Sequence, residues 1–415
     1  MEPYRIKVIE PLNIVTKKLR KKILIQTGYN PFLIPAEYVT IDLISDSGTG
    51  AMSAQQWAEM VQAREAFSGS CAYYKFVKMA KDITKFPFIQ PVHQGRPAEN
   101  ILFKIILKPG DVVLSNAHFE TTRANVESLG CRAIDISKPE PPFFGNIDIA
   151  RLNEILNRSK NVKMVILTMT NNTNGGQPVS LDNIMKTRQL TKKYNILLVF
   201  DACRFADNVY LIKEYLRSKW SMKSLCQRIF KLGDILYLSN KKDGLVNIGG
   251  FIGVRNKKIY DQLALEIIQQ ESYPSAGGLA ARDLAAMTIG LKDSLNEGFL
   301  RSHIQSVRYL GQTLKKNGVR IFEPIGGHAV VVIPNDDFPY VAFSLASEIY
   351  LKTGIRVGIF ENSVRLALPR RVYTKDQLKY VGEAIGKIYR QKLPKLKLIN
   401  KPKHFFNFFA RFKKD

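Results

Sequence analysis

An aspartate and a lysine each stand just after an apolar run in the middle of the chain. Asp201 follows the run that ends at Phe200, and Lys242 follows the run that ends at Leu238. A lysine amine can form a Schiff base with an aldehyde, and a carboxylate can keep a pyridine nitrogen protonated so that the ring withdraws electrons. A pyridoxal phosphate enzyme needs this pair, although a strand-end cap and a surface lysine would give the same pattern.

Three further segments could bind the phosphate of such a cofactor. The segment 93–96, HQGR, precedes a helical pattern, so it offers backbone N–H groups and a cation to an anion at a helix N-terminus. Ser239 and Lys241 would add a hydroxyl group and a second positive charge. The segment 47–50, SGTG, is a flexible turn that suits an anion, but turns of this composition are common.

These polar residues must be positioned by the apolar runs that precede them, which alternate with amphipathic stretches. In an open α/β sheet the ligand binds at the carboxyl ends of the strands. A helix is expected at Leu181–Tyr194, behind a Ser180 cap. The alternation predicts a mainly parallel sheet covered by helices. The runs expected to form strands are Val112–Leu114, Val162–Met169, Ile196–Phe200, Ile235–Leu238 and Phe251–Val254.

After about residue 295 the pattern changes to that of a smaller α+β unit. We predict a helix at Ser302–Asn317 closed by Gly318, strands near Val319–Phe322, Ala329–Ile333 and Val364–Leu368, and a helix at Tyr340–Thr353. The expected organisation is an N-terminal arm and part of the small domain at 1–50, a large cofactor-binding α/β domain at 51–295, and a small C-terminal domain at 296–415.

Composition narrows the class of protein. The 415 residues are 45% apolar, which excludes a disordered chain, and Lys plus Arg exceed Asp plus Glu by 62 to 36. The net charge of +26 would attract anions, but no nucleic-acid-binding module is visible, so we expect a solvated basic surface and no nucleic-acid partner. The four cysteines are too far apart for a metal knuckle, and no long uncharged apolar run occurs. We therefore expect a cytoplasmic protein that does not contact membranes.

Seven segments together resemble the tryptophanase and tyrosine phenol-lyase family of pyridoxal-phosphate β-eliminating lyases, and tyrosine phenol-lyase most closely. The resemblance implies the aspartate-aminotransferase fold (fold type I), with a large mainly parallel-sheet domain, a small α+β domain and a homodimer or homotetramer. The matching segments, in family order along the whole chain, are 4–11 (YRIKVIEP), 46–50 (DSGTG), 93–96 (HQGR), 175–180 (GGQPVS), 241–243 (KKD), 326–329 (GGHA) and 369–374 (PRRVYT).

The resemblance implies roles for residues around the cofactor. Lys242 resembles the lysine that forms the Schiff base, and Asp201 resembles the partner of the pyridine nitrogen. Phe119 would stack on the ring. The residues around the phosphate would be Gln94, Gly95, Arg96, Ser239 and Lys241, and those facing the ring oxygen would be Asn172 and Arg204.

The resemblance also implies sites for the substrate and for a monovalent cation. Arg365 and Ser47 would bind the α-carboxylate of an amino acid, a bidentate task that suits a guanidinium. Gly48, Glu65 and Asn247 match the potassium site of the family. Each of these residues could instead be an ordinary core, surface or helix-face residue.

The residues expected around the side chain of the substrate differ from those of the family. Phe67 stands where the family has the tyrosine that protonates the leaving aromatic carbon, and phenylalanine has no proton to give. His118 and Glu120 flank Phe119 and are candidates for a substitute acid or for substrate contact, as are Tyr73 and Tyr74. About 20 family residues are missing between Gly354 and Val364, and the phenol-lyase arginine for the phenol hydroxyl falls at Phe360.

We therefore expect a lyase that acts on an L-amino acid and eliminates a β-substituent through a C–C, C–S or C–O bond. A leaving group that departs as an anion would need no tyrosine acid. The alternatives are β-replacement, transamination, retro-aldol cleavage or another biosynthetic step, and an inactive cofactor-binding protein. Asp201, Lys242 and Arg365 together argue against the last, because binding alone does not require all three.

Overall fold

The computed structural model describes residues 2–172 and 175–415, and the chain divides into two compact units. The terminal unit combines Met1–Asp46 with Ser302–Asp415, and the central unit is Ser47–Arg301. The four cysteines, all within the described residues, are free thiols. No helix in this part of the chain is long and apolar enough to cross a membrane.

The described residues form helices and strands throughout the chain. The helices are α1 (Lys17–Gln26), α2 (Ala54–Gln62), α3 (Cys71–Thr84), α4 (Gly95–Ile106), α5 (Glu120–Ser128), α6 (Ile149–Arg158), α7 (Leu181–Lys193), α8 (Phe205–Tyr215), α9 (Met222–Phe230), α10 (Lys257–Gln270), α11 (Ala281–Ser294), α12 (Glu297–Lys316), α13 (Val341–Thr353), α14 (Lys375–Tyr389) and α15 (Phe406–Phe409). The strands are β1 (Ile41–Leu43), β2 (Phe88–Val92), β3 (Val112–Ser115), β4 (Arg132–Asp135), β5 (Val162–Thr168), β6 (Leu197–Asp201), β7 (Ile235–Ser239), β8 (Gly250–Val254), β9 (Ala329–Val332), β10 (Ile355–Phe360), β11 (Ser363–Ala367), β12 (Leu396–Asn400) and β13 (Arg411–Lys414).

A mixed sheet forms the centre of the central unit. Its strand order within the described residues is β2-β8-β7-β6-β5-β3-β4. Strands β3, β4, β5, β6 and β7 are parallel to one another, whereas β8 is antiparallel to both β2 and β7. In the register, Thr168 pairs with Asp201 and Asp201 pairs with Tyr237. Because β3, β5, β6 and β7 run in one direction, the polar residues at their carboxyl ends lie along one edge of the sheet.

The sheet is buried because its strands are nearly continuous apolar runs and helices cover its faces. Tyr237 of β7 and Phe103 of α4 are fully buried, and their rings meet edge to face at 6.2 Å. Leu263 and Ile267 of α10 join the same cluster. This cluster holds α4 firmly on the sheet, so the N-terminus of α4 has a fixed position near the carboxyl end of β7.

The helix predicted after Ser180 is confirmed as α7. Its Ser180 hydroxyl accepts a hydrogen bond from the Asn183 amide at 3.1 Å, which satisfies one of the free N–H groups of the first turn. The cap thus acts as the sequence pattern predicts, and it fixes where the chain leaves the edge of the sheet to form α7.

The terminal unit contains a four-stranded sheet in the order β1-β10-β11-β9 and a two-stranded ribbon of β12 and β13. The strand predicted near Val319–Phe322 is wrong, because this segment forms only an isolated bridge between Ile321 and Val332. Pro324 follows closely and has no N–H group with which to extend the pairing. Strands β10 and β11 are joined by only two residues, so the shortened region predicted between Gly354 and Val364 is a hairpin.

Candidate active site

Three cations converge where α4 begins in the central unit. Burial lowers the pKa of Lys241, and the neighbouring charges of Lys242 and Arg96 lower it further. Gln94 is the N-cap residue of α4, and its side chain makes no capping hydrogen bond to the first turn. Gly95 allows a close approach, since a Cβ there would lie 3.1 Å from the Cβ of Ser239. The structure thus brings the predicted phosphate-binding residues together around a helix N-terminus, which suits a dianion.

Asp201 lies at the end of β6 and is buried. Its Oδ1 accepts a hydrogen bond from the Cys203 amide at 3.2 Å. Burial raises the pKa of Cys203, Asp201 raises it further, and Lys242 lowers it. Asp201 and Lys242 therefore act on the same buried thiol, and the structure brings the predicted pair to one edge of the sheet.

Glu99 is a third ionisable residue here, and our sequence analysis missed it. Its carboxylate is buried and accepts hydrogen bonds from Thr122 at 2.7 Å and from Asn125 at 3.2 Å. Burial, followed by the Asp201 charge, raises the pKa of Glu99 to about 7, although the Lys242 charge opposes this rise. The available signal was an acid among apolar residues on the sheet-facing side of a predicted helix.

Phe119 is the N-cap residue of α5 and is partly buried, whereas the next residue, Glu120, is exposed in the first turn. His118 is buried, and its Nδ1 lies 2.6 Å from Oδ1 of Asp135. Burial favours a raised pKa for Asp135, but hydrogen bonds from His118 and the Arg123 charge outweigh it and lower that pKa. The imidazole of His118 is thus held by a carboxylate, while Glu120 is in contact with solvent.

Asn172 and Arg204 are both buried at the carboxyl ends of their strands. Arg204 is the N-cap residue of α8, and its carbonyl accepts a hydrogen bond from the Thr170 hydroxyl at 2.9 Å. The first turn of α8 is held by Asp243, whose carboxylate accepts from the Ala206 amide at 2.6 Å. The helix that positions Arg204 is therefore tied to the residue that follows Lys242.

The predicted cation ligands form two groups. The Asn247 side chain donates a hydrogen bond to the Gly48 carbonyl at 3.0 Å, and Gly48 has a positive φ of 77°. Glu65 accepts hydrogen bonds from the amides of Ala281 at 2.7 Å and Arg282 at 3.2 Å, at the start of α11. The structure thus brings Gly48 and Asn247 into contact and shows Glu65 capping a helix. Among the described residues no cluster of three His, Cys, Asp or Glu side chains could hold a metal.

Phe67 is 79% exposed and lies against an aromatic ring that our sequence analysis did not select. Its ring centroid is 5.7 Å from that of Tyr273. The amide of Gly69 donates to the Ser275 hydroxyl at 2.8 Å, so the two loops are also joined by a hydrogen bond. Tyr273 carries the hydroxyl group that Phe67 lacks, and only the folded chain shows that the two are neighbours.

The two predicted carboxylate ligands belong to different units. Arg365 lies on β11 of the terminal unit, opposite Gly358 in the register, and donates to the Ile44 carbonyl at 3.4 Å. Ser47 is the first residue of the central unit and is partly buried.

The donor set of the central unit fits pyridoxal phosphate. The cluster of Arg96, Lys241 and Lys242 has a charge that suits a phosphate dianion, as the lowered pKa of Lys241 shows. Asp201 is a buried carboxylate that suits a protonated pyridine nitrogen, and Lys242 has an amine of the kind that can condense with the aldehyde. Both ends of the cofactor thus have ligands of the right chemistry.

Comparison with known sequences identifies close relatives along nearly the whole chain. A probable tryptophanase from Aeropyrum pernix is 38% identical, over 97% of this chain and 94% of that protein. A tyrosine phenol-lyase from Fusobacterium nucleatum is 40% identical, over 99% of this chain and 97% of that protein.

Comparison with solved structures confirms the predicted fold class. The serine palmitoyltransferase of Sphingomonas wittichii matches 89% of this chain and 96% of its own with a TM-score of 0.65 at 14% identity. A threonine aldolase from Leishmania major matches 84% of this chain and 99% of its own with a TM-score of 0.63 at 14% identity. The family model described as beta-eliminating lyase matches residues 42–384. The chain therefore belongs to the beta-eliminating lyase family and is a pyridoxal-phosphate-dependent lyase of fold type I.

Proposed function

We propose that this lyase removes a β-substituent that leaves as a stabilised anion, such as a thiolate or a carboxylate, from an L-amino acid. The observation that carries the proposal is Phe67, which supplies no proton at the position where the family has its tyrosine acid. General acid catalysis is worth about 10²–10⁴-fold in rate. Leaving groups that need little protonation are therefore favoured over an aromatic carbon.

The cofactor, when bound, accepts the electron pair that the substrate Cα–H bond leaves behind when its proton is removed. Lys242 would bind the cofactor aldehyde and then remove that α-proton, and Asp201 would hold the proton on the pyridine nitrogen. Burial supports the role of Asp201, because a carboxylate removed from water pairs strongly with a buried cation.

Other residues of the central unit would bind and orient the cofactor. Phe119 would stack on the ring, and Asn172 and Arg204 would face the ring oxygen. The position of Asn172 and Arg204 supports this role, because both are buried at the carboxyl ends of strands, where ligands bind in open α/β sheets. The residues proposed to surround the phosphate are Gln94, Gly95, Arg96, Ser239 and Lys241.

Substrate and cation binding complete the proposal. Arg365 and Ser47 would bind the α-carboxylate, and His118 and Glu120 would line the side-chain pocket together with Phe67. Potassium would be bound by Glu65 and by the carbonyl oxygens of Gly48 and Asn247. A Cβ on Gly48 would lie 3.1 Å from the Asn247 carbonyl oxygen, and this closeness of the two residues supports the second half of that cation site.

The shortened hairpin supports a changed substrate pocket. Phe360 ends β10, and after a turn of two residues Ser363 begins β11 and pairs with Phe360 in the register. A two-residue turn leaves no chain length for a substrate-binding loop. Phe360 also offers no hydrogen bond to a phenol hydroxyl, so tyrosine is a poor candidate substrate.

We further propose a homodimer or homotetramer. The segment before α1 leaves large apolar side chains exposed, with Val8, Ile9 and Ile14 each more than 80% accessible. Contiguous apolar residues of this kind mark protein contact sites, and a second copy of the chain would cover them.

The proposal is tested by assaying pyruvate release from S-methylcysteine, O-acetylserine, tyrosine and tryptophan by the holoenzyme. We expect elimination from the first two and at least about 100-fold lower rates from the aromatic substrates. Lys242→Ala should abolish both the visible absorbance of the bound cofactor and the pyruvate, whereas the exposed Lys258→Ala should change neither. Equal rates with tyrosine, or a substituted amino acid in place of pyruvate when a thiol is added, would contradict the proposal.

A further inference from the structure

The loop at residues 271–278 is fixed to the central unit at three points. Oε2 of Glu271 lies 2.6 Å from Nδ1 of His93, the first residue of the predicted phosphate-binding segment 93–96. Gln90 donates to the Pro274 carbonyl at 2.8 Å, and the Gly69 amide donates to Ser275 at 2.8 Å. Tyr273 lies between these anchors, so its ring has a defined position beside the ring of Phe67.

Two glycines allow the loop to pack this closely. Gly277 has φ of +61°, and a Cβ there would lie 2.1 Å from the carbonyl oxygen of Pro91. Gly278 has φ of +72°, and a Cβ there would lie 2.4 Å from Oε2 of Glu271. Gly277 thus allows the loop to approach β2, and Gly278 allows the loop to pack against its own Glu271, so the loop is tightly packed where these glycines lie.

We propose that Tyr273 donates a proton to the sulfur of a departing thiolate, a leaving group that is released far more easily than an aromatic carbon but still gains from protonation. This inference rests on the proposed function and names the substrate class for it. The ring contact at 5.7 Å places a phenol next to the position that lost one. Tyr273 is 46% exposed, so its side chain is not buried in the core and is accessible to a ligand.

The other candidate donors have less suitable surroundings. His118 is buried with its Nδ1 held by Asp135. Tyr73 is packed edge-on against Tyr74, and burial raises the pKa of Tyr73 well above its ordinary value. The hydroxyl of Tyr74 lies close to Gly69, where a Cβ would be 3.3 Å from it, so it has little free space around it.

The proposed step balances as a proton transfer coupled to cleavage of the Cβ–S bond. The bonding electron pair leaves with sulfur, the Tyr273 Oη proton moves to that sulfur, and the resulting tyrosinate takes a proton from water. An alkyl thiolate without the electron-withdrawing groups of cysteine has a basicity close to that of a phenolate, so the proton transfer is nearly balanced in free energy. The geometry thus points to S-alkyl cysteines, whose thiolates gain from protonation.

The test compares two leaving groups in Tyr273→Phe holoenzyme. Elimination from S-methylcysteine should fall about 100-fold in kcat, whereas elimination from β-chloroalanine should change by less than about threefold, because chloride leaves without a proton. Binding of L-alanine, read from the cofactor absorbance, should be unchanged. The matched control is Tyr380→Phe, which alters a tyrosine of similar exposure, 48%, in the terminal unit.

A second variant separates proton donation from a structural role. In the double variant Phe67→Tyr/Tyr273→Phe the hydroxyl returns on the adjacent ring, and activity with S-methylcysteine should recover at least about tenfold. Equal losses with both substrates, or the selective loss appearing in Tyr74→Phe, would overturn the assignment of Tyr273. Failure of the wild-type enzyme to release pyruvate from β-chloroalanine would instead refute the proposed function itself.

Discussion

Replacing Glu99 by glutamine should remove a pH dependence of stability that the buried carboxyl imposes. Burial, followed by the Asp201 charge, raises the pKa of Glu99 from 4.5 to about 7. In this range the folded protein keeps a proton that the unfolded chain has already released. Stability should therefore fall as the pH rises from 4.5 to about 7 and should not change further on this account.

The size of the effect follows from the same pKa values. A rise from 4.5 to about 7 corresponds to about 3 kcal/mol of unfolding free energy, because a tenfold change in an equilibrium constant is about 1.4 kcal/mol. Glu99 is only 5% exposed, so water screens this charge little. Glutamine has nearly the same size and does not titrate, so the variant isolates the proton from the packing.

The assay is urea unfolding of cofactor-free protein at several pH values from 4.5 to 8 and at one protein concentration. Relative to Glu99→Gln, the wild type should lose about 3 kcal/mol across this range. The exposed Glu127→Gln on α5 should follow the wild type. If the curves of Glu99→Gln and the wild type were parallel, the carboxyl would titrate alike in both states and the reasoning would be refuted.

Two further substitutions test how the site is supported. Gly278→Ala should lower the free energy of unfolding by about 2 kcal/mol, since it combines a positive φ with a Cβ at 2.4 Å from Glu271. The control Gly318→Ala shares the positive φ, but its Cβ meets no atom within 4 Å. Equal losses of the two variants in urea unfolding would contradict the contact argument. Asp243→Ala should lower the free energy of unfolding by about 1–2 kcal/mol, because it removes the acceptor for the Ala206 amide at the start of α8. An unchanged midpoint of urea unfolding would show that this cap contributes nothing to stability.

The parallel strands could be predicted because each is a continuous apolar run bounded by polar residues. The runs at Val112–Leu114, Ile196–Phe200 and Ile235–Leu238 all overlap observed strands. Strand β2 could not be predicted in this way, because its sequence, FIQPV, contains a glutamine and a proline and is not a continuous apolar run. Strand β4, RAID, is partly or fully exposed at each position, so tertiary pairing with β3 forms it rather than an apolar pattern.

The site was predictable where its residues follow strands and not where they come from helices and loops. Asp201 ends a buried strand, and Lys242 follows one closely, so the rule for open α/β sheets finds both. Glu99 approaches Asp201 only because α4 packs on the sheet. Tyr273 meets Phe67 only through the fold, since 206 residues separate the two in sequence. Contacts of that range depend on packing that no local pattern contains.

The burial of these residues explains how one half of the site can change while the other half stays. Asp201, Arg204 and Ser239 are at most 8% exposed and belong to strand ends and helix starts that the core holds in place. A substitution there would leave buried polar partners unsatisfied and would unfold or misplace the sheet edge. Phe67 and Tyr273 are 79% and 46% exposed, and exposed substitutions usually change stability by less than about 0.5 kcal/mol. Exchanging tyrosine and phenylalanine between these two positions should therefore cost little in folding free energy, which would let the leaving group that we propose differ while the proposed cofactor site stays the same.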